Sequence, residues 1–348
     1  MTATDRECAH IFFVQSPISY LICEAIIRRE NIDPDRCFFL VWRISRDAIP
    51  YASMELPSYF HSKFRGTGIR RSLSFFRWGR RIRAVMATAS RGRPYKVYVN
   101  KLVHGFLSPV SNDQKCREIN LYEEGLAAFW RSAGGCDIER KHLGLPPKMA
   151  LPFWVRNRVF PAEAPYTLEY DRAFVSGGQS MAGFPRRTEV DLVSVLHERG
   201  RDLDFSHVGT GAQIYALPLL HDFQKDAQVR DRLIRSISDF LNRHPDRQHL
   251  LGLHPDYVID EAFWDDILKR AGLTDGVKST AIVSGLFLEV LAVARPDVSI
   301  YFVVSSLAAY DPVLDAELIS YAEYVFGPDH WKVDILRKTG FSSFRSCE

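Results

Sequence analysis

The chain has 348 residues, of which 46% are hydrophobic and 25% are charged, and its formal net charge is +3. This is the composition of an ordinary globular protein long enough for two domains, and no repeat of about 20 to 50 residues supports a solenoid. The 6 cysteines include no C-x-x-C pair, which argues against a cysteine metal cluster or a disulfide scaffold and favours a reducing cytoplasm.

The sequence also argues against export and against membrane insertion. Asp5 and Glu7 precede the first apolar stretch, where a signal peptide would have basic residues. The longest apolar segment, residues 281–294, contains Glu289 and is too short to cross the hydrocarbon core of a bilayer. We therefore expect no transmembrane helix.

The N-terminal half alternates apolar strands with helical patterns. Residues 10–14 predict a strand, Gln15-Ser16-Pro17 a turn, and residues 18–29 a helix. Further strands are predicted at residues 37–42, 96–99, 118–122 and 173–176. Strands that alternate with helices favour a parallel sheet with helices on both faces.

The same alternation begins again after a proline-rich middle. Strands are predicted at residues 212–220, 248–253 and 298–304, helices at 229–241 and 261–271, and a buried helix at 281–294. The predicted fold is α/β, with two Rossmann-like domains that face each other across a cleft. The predicted domains are residues 1–180 and 206–330, joined by a linker at 181–205 and followed by a C-terminal tail at 331–348.

A basic segment lies in the first half. No carboxylate occurs between Glu55 and Asp113, whereas residues 63–101 contain many arginines and lysines interleaved with apolar residues. This pattern is typical of a helix that binds anionic lipid, of a groove for a polyanion, or of a basic helix whose apolar side packs on its own domain. No nucleic-acid fold signature accompanies the charge, so we expect no nucleic-acid partner.

Three short motifs follow predicted strands. Glu123-Glu124-Gly125 comes after residues 118–122 and could supply a general base, although paired acids also stabilise helix N-termini. Because two neighbouring carboxylates repel each other, one of the two should have a raised pKa. His254-Pro255 follows residues 248–253 and could serve a leaving phosphate, although a structural histidine fits the same pattern.

The third motif, Ser305-Ser306, offers hydroxyls and backbone N–H groups to an anion, or simply an N-cap to a helix. Glu289 lies within an apolar run and must be paired with a cation or functional, because isolated burial of a carboxylate is costly. It could accept hydrogen bonds from two ribose hydroxyls, or it could pair with an arginine.

In this order the motifs resemble those of the inverting bacterial sialyltransferases and polysialyltransferases of the GT-B type, which share D/E-D/E-G, H-P and S-S/T motifs. The opening run that ends in Gln15-Ser16-Pro17 is similar too. The resemblance implies that Glu124 is the general base, with Glu123 as the less favoured candidate, on the acceptor-side N-terminal domain. It also implies a donor nucleotide site on the C-terminal domain, made of His254, Pro255, Glu289, Ser305 and Ser306, with Gln15 and Ser16 contributing.

The resemblance further implies a metal-independent reaction without a cofactor, in which sialic acid or a related acid sugar moves from a CMP-activated donor, CMP-sialic acid, to a capsule or lipopolysaccharide glycan. Two alternatives stay open from the residues themselves. One is a glycosyltransferase with a UDP-linked donor, and the other is a catalytically silent glycan-binding subunit of a membrane assembly. The basic segment at residues 63–101 would place the cytoplasmic protein on an anionic inner-membrane surface.

Overall fold

The computed structural model describes residues 8–42, 49–56, 68–100, 110, 113–126, 171–177, 180–181, 186–218, 221–252, 261–273, 281–282 and 288–347. The chain divides into two compact units. The first contains Met1–Glu124 and Trp130–Leu192, and the second contains Gly125–Phe129 and Val193–Glu348.

The first unit is built on a seven-stranded sheet with the order β3-β2-β1-β4-β5-β6-β7, in which every neighbouring pair is parallel. Its strands are β1 (Ala9–Val14), β2 (Cys37–Val41), β3 (Ser53–Glu55), β4 (Tyr95–Val99), β5 (Cys116–Tyr122), β6 (Arg172–Val175) and β7 (Arg187–Glu189). Its helices are α1 (Pro17–Arg29) and α2 (Gly68–Ala89). The next helix, α3 (Leu192–Asp202), begins at the last residue of this unit and otherwise belongs to the second unit. The parallel sheet expected from the alternating pattern is confirmed.

Aromatic side chains of neighbouring strands hold the centre of this sheet together. Phe12 on β1 stacks on Phe39 of β2 and on Tyr98 of β4, with ring centroids 5.0 and 4.4 Å apart. All three rings are fully buried, so each contributes dispersion energy as well as the removal of apolar area from water. This packing fixes the ends of β1 and β4 relative to each other.

The C-terminal half of α2 packs on its own unit. Ile82, Val85, Met86 and Ala89 are buried, at the three- and four-residue spacing of one helix face. The opposite face carries exposed basic side chains, namely Arg80, Arg81 and Arg83. Of the three interpretations of the basic segment, the one in which the apolar side packs on the protein therefore holds for residues 79–89. No helix within the described ranges has the length and apolar character needed to cross a membrane.

The second unit repeats the architecture on a smaller scale, in a five-stranded parallel sheet of order β10-β9-β8-β11-β12. Its strands are β8 (Gln213–Ala216), β9 (His249–Gly252), β10 (Ala281–Ile282), β11 (Ser299–Phe302) and β12 (Glu317–Ser320). Its helices are α4 (His221–Gln224), α5 (Ala227–Arg243), α6 (Glu261–Arg270), α7 (Leu288–Ala294), α8 (Ala322–Phe326) and α9 (Trp331–Lys338). Leu233 and Phe240 of α5 and Trp264 of α6 belong to the core of this unit.

One secondary-structure prediction needs correction, and two predicted connecting segments contain regular structure. The single buried helix predicted over residues 281–294 is wrong, because its first two residues form β10 and a helix begins only at Leu288. The predicted linker, residues 181–205, contains β7 and α3, and the predicted tail, residues 331–348, contains α9. Near the C-terminus, Arg345 donates its backbone N–H to the Ser320 carbonyl at 2.8 Å, which ties this segment to β12.

Candidate functional site

The first sheet places three of its loops around one point. The strand order reverses between β1 and β4, because β2 and β3 follow β1 toward one edge of the sheet and β5 to β7 follow β4 toward the other. In doubly wound sheets, ligands bind beyond the carboxyl ends of the strands at such a reversal. Gln15 and Ser16 directly follow β1, Asn100 follows β4, and Glu124 lies two residues after β5. The topology therefore brings together side chains that are far apart in the sequence.

Glu124 is the centre of this group and receives three hydrogen bonds. The Ser16 hydroxyl donates to Oε1 at 2.7 Å, and the Gln15 amide donates to Oε2 at 2.5 Å. The Asn100 amide also donates to Oε2. Because two donors come from the loop after β1 and the third follows β4, the carboxylate is fixed in orientation from two strands while it stays partly exposed. A carboxylate has about four lone-pair positions, so this arrangement leaves about one, on Oε1, for a ligand proton.

Ser16 is itself held by the start of α1. Its hydroxyl accepts from the Ser19 backbone N–H at 3.3 Å, and the Ser19 hydroxyl accepts from the Ser16 N–H at 2.9 Å. This reciprocal capping box satisfies two helix donors, and Pro17 at the first helical position fits the same start because it has no N–H to leave unpaired. The helix cap and the support of Glu124 therefore depend on one hydroxyl.

Glu123 has a different environment from its neighbour. Its side chain is 2% exposed, and the Ser176 hydroxyl, just after β6, donates to its Oε1. Burial raises its pKa, against the opposing effects of the hydrogen bond from Ser176 and of the charge on Arg187. The expected upward shift of one carboxyl of the pair is therefore found at Glu123, with burial and not repulsion by its neighbour as the main cause.

Gly125, the third residue of this motif, belongs to the second unit. Its φ of +49° lies in the left-handed region, and its backbone N–H donates to the Tyr310 hydroxyl at 2.9 Å. A Cβ added there would lie 2.5 Å from the Ser306 Cβ. Both the backbone conformation and the lack of space therefore require glycine at this position.

In the second sheet the strand order reverses between β8 and β11, and Ser305 and Ser306 lie after the carboxyl end of β11. Ser305 is the N-cap of the short 3₁₀ helix Ser306–Ala309, where its hydroxyl accepts from the Leu307 N–H at 3.3 Å. The capping alternative for this motif is therefore observed at Ser305. The Ser306 side chain is partly exposed.

Glu289 is the second residue of α7. Desolvation raises its pKa although its side chain keeps some exposure to solvent. In the part of the chain that the structure describes, no arginine or lysine forms an ion pair with it. The arginine partner that the sequence left open is thus not found there.

His254 and Pro255 lie outside the described residues, which end at Gly252 in this region and resume at Glu261. Their role stays a prediction, as does their proximity to Glu124. In the described ranges, no group of three or more histidine, cysteine, aspartate or glutamate side chains is placed to hold a metal ion.

Asn100 is the site residue that sequence reasoning missed. It is 2% exposed and follows the apolar run of β4, so its position resembles that of the three motifs. A polar residue directly after a predicted strand was the available signal. A single asparagine after a strand is common in turns, which is why it did not stand out.

A cavity of about 290 Å³ lies elsewhere in the first unit, at the amino ends of the strands. It is lined by charged pairs: Lys96 lies 2.6 Å from Glu118, and Arg172 lies 2.8 Å from Glu30. Catalytic groups of parallel sheets lie at the carboxyl ends, so we regard this cavity as part of the charged network that supports the sheet.

Comparison with known proteins shows a likeness of fold. No protein-family model and no curated protein matches the sequence. The structure of UDP-GlcNAc 2-epimerase from Methanocaldococcus jannaschii in complex with UDP-GlcNAc and UDP has a TM-score of 0.50 and 12% identity, covering 90% of this chain and 83% of that chain. At this identity the likeness establishes a shared two-domain α/β fold and nothing about activity.

Two further structures match with lower scores. A second structure of the M. jannaschii epimerase has a TM-score of 0.47 and 14% identity, covering 96% of this chain and 92% of that chain. A sialyltransferase from Photobacterium damsela has a TM-score of 0.45 and 12% identity, covering 97% of this chain and 82% of that chain. Neither score is high enough to support an assignment of function.

Proposed function

We propose that this protein is an inverting, metal-independent glycosyltransferase that moves sialic acid, or a related acid sugar, from a CMP-activated donor to a bacterial surface glycan. The observation that carries the proposal is the partly exposed carboxylate of Glu124, held by three donors at the carboxyl edge of a parallel sheet. A base placed there can act on a substrate hydroxyl without first having to be oriented.

In the proposed reaction, the acceptor hydroxyl oxygen attacks the anomeric carbon of the donor sugar from the face opposite the nucleotide. A carbon–oxygen bond forms to the acceptor, the bond between the anomeric carbon and the phosphate oxygen breaks, and CMP leaves with the electron pair. The hydroxyl proton passes to the remaining lone pair on Oε1 of Glu124. Gln15 and Asn100 hold Oε2, so the proton has one defined destination.

On the donor side we propose that the reversal between β8 and β11 holds the nucleotide. Ser305 and Ser306 contribute their hydroxyls to the phosphate, because the Ser305 hydroxyl that accepts from the Leu307 N–H still has its own proton to donate. Glu289 binds the ribose hydroxyls, and His254 with Pro255 acts at the leaving phosphate. Gln15 and Ser16 contact the donor in addition to orienting Glu124.

The test is transfer and hydrolysis of CMP-sialic acid by the purified wild type and by Glu124→Gln, with products identified by mass spectrometry against a panel of glycan acceptors. We expect turnover to fall by about 10²–10⁴-fold in the variant, as for the loss of a general base. The matched control is Glu55→Gln, an exposed carboxylate at the end of β3, which should keep wild-type turnover. Equal turnover of wild type and Glu124→Gln would reject the assigned base.

A second candidate is an enzyme with a UDP-linked sugar donor. It is favoured by the fold shared with a structure that contains UDP-GlcNAc and UDP. Isothermal titration with CMP and with UDP separates the two, because tighter binding of UDP would support the second candidate and contradict the first. A glycan-binding subunit without catalysis would bind neither nucleotide and hydrolyse no donor.

The exposed arginines of α2 suggest how the protein meets its acceptor. We propose that Arg80, Arg81 and Arg83 form an electrostatic surface for an anionic membrane, since the apolar face of this part of the helix is already buried and cannot insert. Flotation with phosphatidylserine vesicles should be lost in the triple variant to glutamine and in high salt. Binding that resists salt would contradict an electrostatic contact.

A further inference from the structure

Glu123 is a buried carboxyl group that the proposed reaction does not use. It lies directly after β5, and its backbone N–H donates to the Phe174 carbonyl of β6 at 2.9 Å. Its side chain also lies toward β6, beside Ser176 just after that strand and Ser180 in the connection to β7. The side chain thus ties the end of β5, immediately before Glu124, to the neighbouring strand.

Two polar atoms in this cluster are buried without a hydrogen bond. They are Oε2 of Glu123 and the hydroxyl oxygen of Ser180, whose residues are 2% and 1% exposed. If Glu123 were a carboxylate, Oε2 would be a charged oxygen buried without a donor, which is costly. A proton on Oε2 removes that buried charge, and the Ser176 hydroxyl still donates to Oε1.

We propose that Glu123 is held in its neutral, protonated form and acts as a positioning residue for Glu124, which alone carries the charge of the pair. This role rests on the proposed function of Glu124, whereas the protonation state does not. A neutral Glu123 removes the repulsion between adjacent carboxylates. Its hydrogen bonds with the Phe174 carbonyl of β6 and with the Ser176 hydroxyl just after β6 hold the residue that precedes the base.

The electrostatic surroundings agree with the geometry. Burial raises the pKa of Glu123, and this effect outweighs the hydrogen bond from Ser176 and the charge of Arg187 on β7, both of which favour the carboxylate. A carboxyl group with a raised pKa in the folded state stabilises the protein fully below its unfolded pKa, which is about 4.3. That stability is lost as the pH rises through the folded pKa.

The test of the protonation state is thermal unfolding of the wild type and of Glu123→Gln between pH 4 and pH 8. Glutamine has the shape of the protonated acid but cannot ionise. We expect similar Tm values near pH 4 and a Tm several degrees higher for the variant at pH 8. The control Glu55→Gln should show no such divergence. A difference that does not change with pH, or a variant less stable than the wild type at pH 8, would overturn the proposal.

The positioning role is tested by the pH dependence of kcat/KM. Glu123→Gln should retain most of the turnover that Glu123→Ala loses, and it should lack the alkaline decline that ionisation of Glu123 causes in the wild type. Loss of turnover in Glu123→Gln as large as in Glu124→Gln would instead make Glu123 the base and overturn the proposal. If the wild type transfers no sugar, the proposed function fails while the unfolding experiment still decides the protonation state.

Discussion

Removing the Ser16 hydroxyl should weaken two interactions at once. In Ser16→Ala the start of α1 loses its capping box, which costs about 1 kcal/mol. Glu124 loses a charge-assisted hydrogen bond of 2.7 Å, which is worth about 1.5 kcal/mol at the lower end of the usual range because both residues are partly exposed. We therefore expect a total loss of about 2.5 kcal/mol.

Hydrogen exchange of the peptide that covers α1, followed by mass spectrometry, measures this loss locally and does not require the two units to unfold together. A loss of about 2.5 kcal/mol corresponds to exchange that is faster by about 70-fold. Ser16→Thr is the matched control, because threonine keeps a hydroxyl and is also a good N-cap. It should change exchange by less than about fivefold.

A double-mutant cycle separates the two contributions. In a Glu124→Ala background, Ser16→Ala should cost only the cap, so its effect should fall by about 1.5 kcal/mol. An equal effect in both backgrounds would show that the hydroxyl does not support the carboxylate. An effect below about 0.5 kcal/mol in the wild-type background would refute the reasoning for both roles.

Three further predictions concern other parts of the chain. Gly125→Ala should destabilise the second unit by about 2–4 kcal/mol in urea unfolding, because the alanine would have a left-handed backbone and a Cβ too close to Ser306. Ser306→Gly should recover part of this loss, and an unchanged unfolding midpoint in Gly125→Ala would contradict the prediction. Trp264→Ala should cost about 3–5 kcal/mol because the ring is 1% exposed in the core, and a loss below about 1 kcal/mol would be inconsistent with that packing. Desolvation raises the pKa of Cys37, which is buried, and of Cys116, which is partly buried, to about 12 each. In labelling followed by peptide mass spectrometry, both should resist thiol reagents at about pH 8 and react only near pH 11 or above, or after unfolding. Rapid labelling of the native protein at about pH 8 would contradict the raised pKa values.

Much of the fold could be predicted because buried parallel strands have an apolar sequence pattern of their own. Residues 10–14 and 37–42 are continuous apolar runs, and the structure has strands there. The strands β3 and β7 lie at the sheet edges, are three residues long and are partly or fully exposed, so their pairing depends on the neighbouring strand rather than on their own sequence. The run at residues 281–294 shows the converse limit, because hydrophobicity without a clear period fits either a strand or a buried helix.

The candidate site was predictable in position but not in environment. The sequence placed Glu123 and Glu124 after a strand, yet only the structure shows that one side chain is buried beside Ser176 while the other meets Gln15 and Asn100. Adjacent residues at a strand end point in different directions, and which of them is buried depends on the neighbouring loops. Those loops come from β1, β4 and β6, and the spacing of residues along one segment contains no information about them.

The division of the chain into units limits how the two halves can be separated by genetic engineering. The polypeptide passes from one unit to the other after Glu124, after Phe129 and after Leu192. A gene cut once near residue 192 would leave the segment Gly125–Phe129 on the wrong fragment, and with it the donor to the Tyr310 hydroxyl. Co-expression of complementary fragments is therefore a better starting point for studying each half than expression of the C-terminal fragment alone.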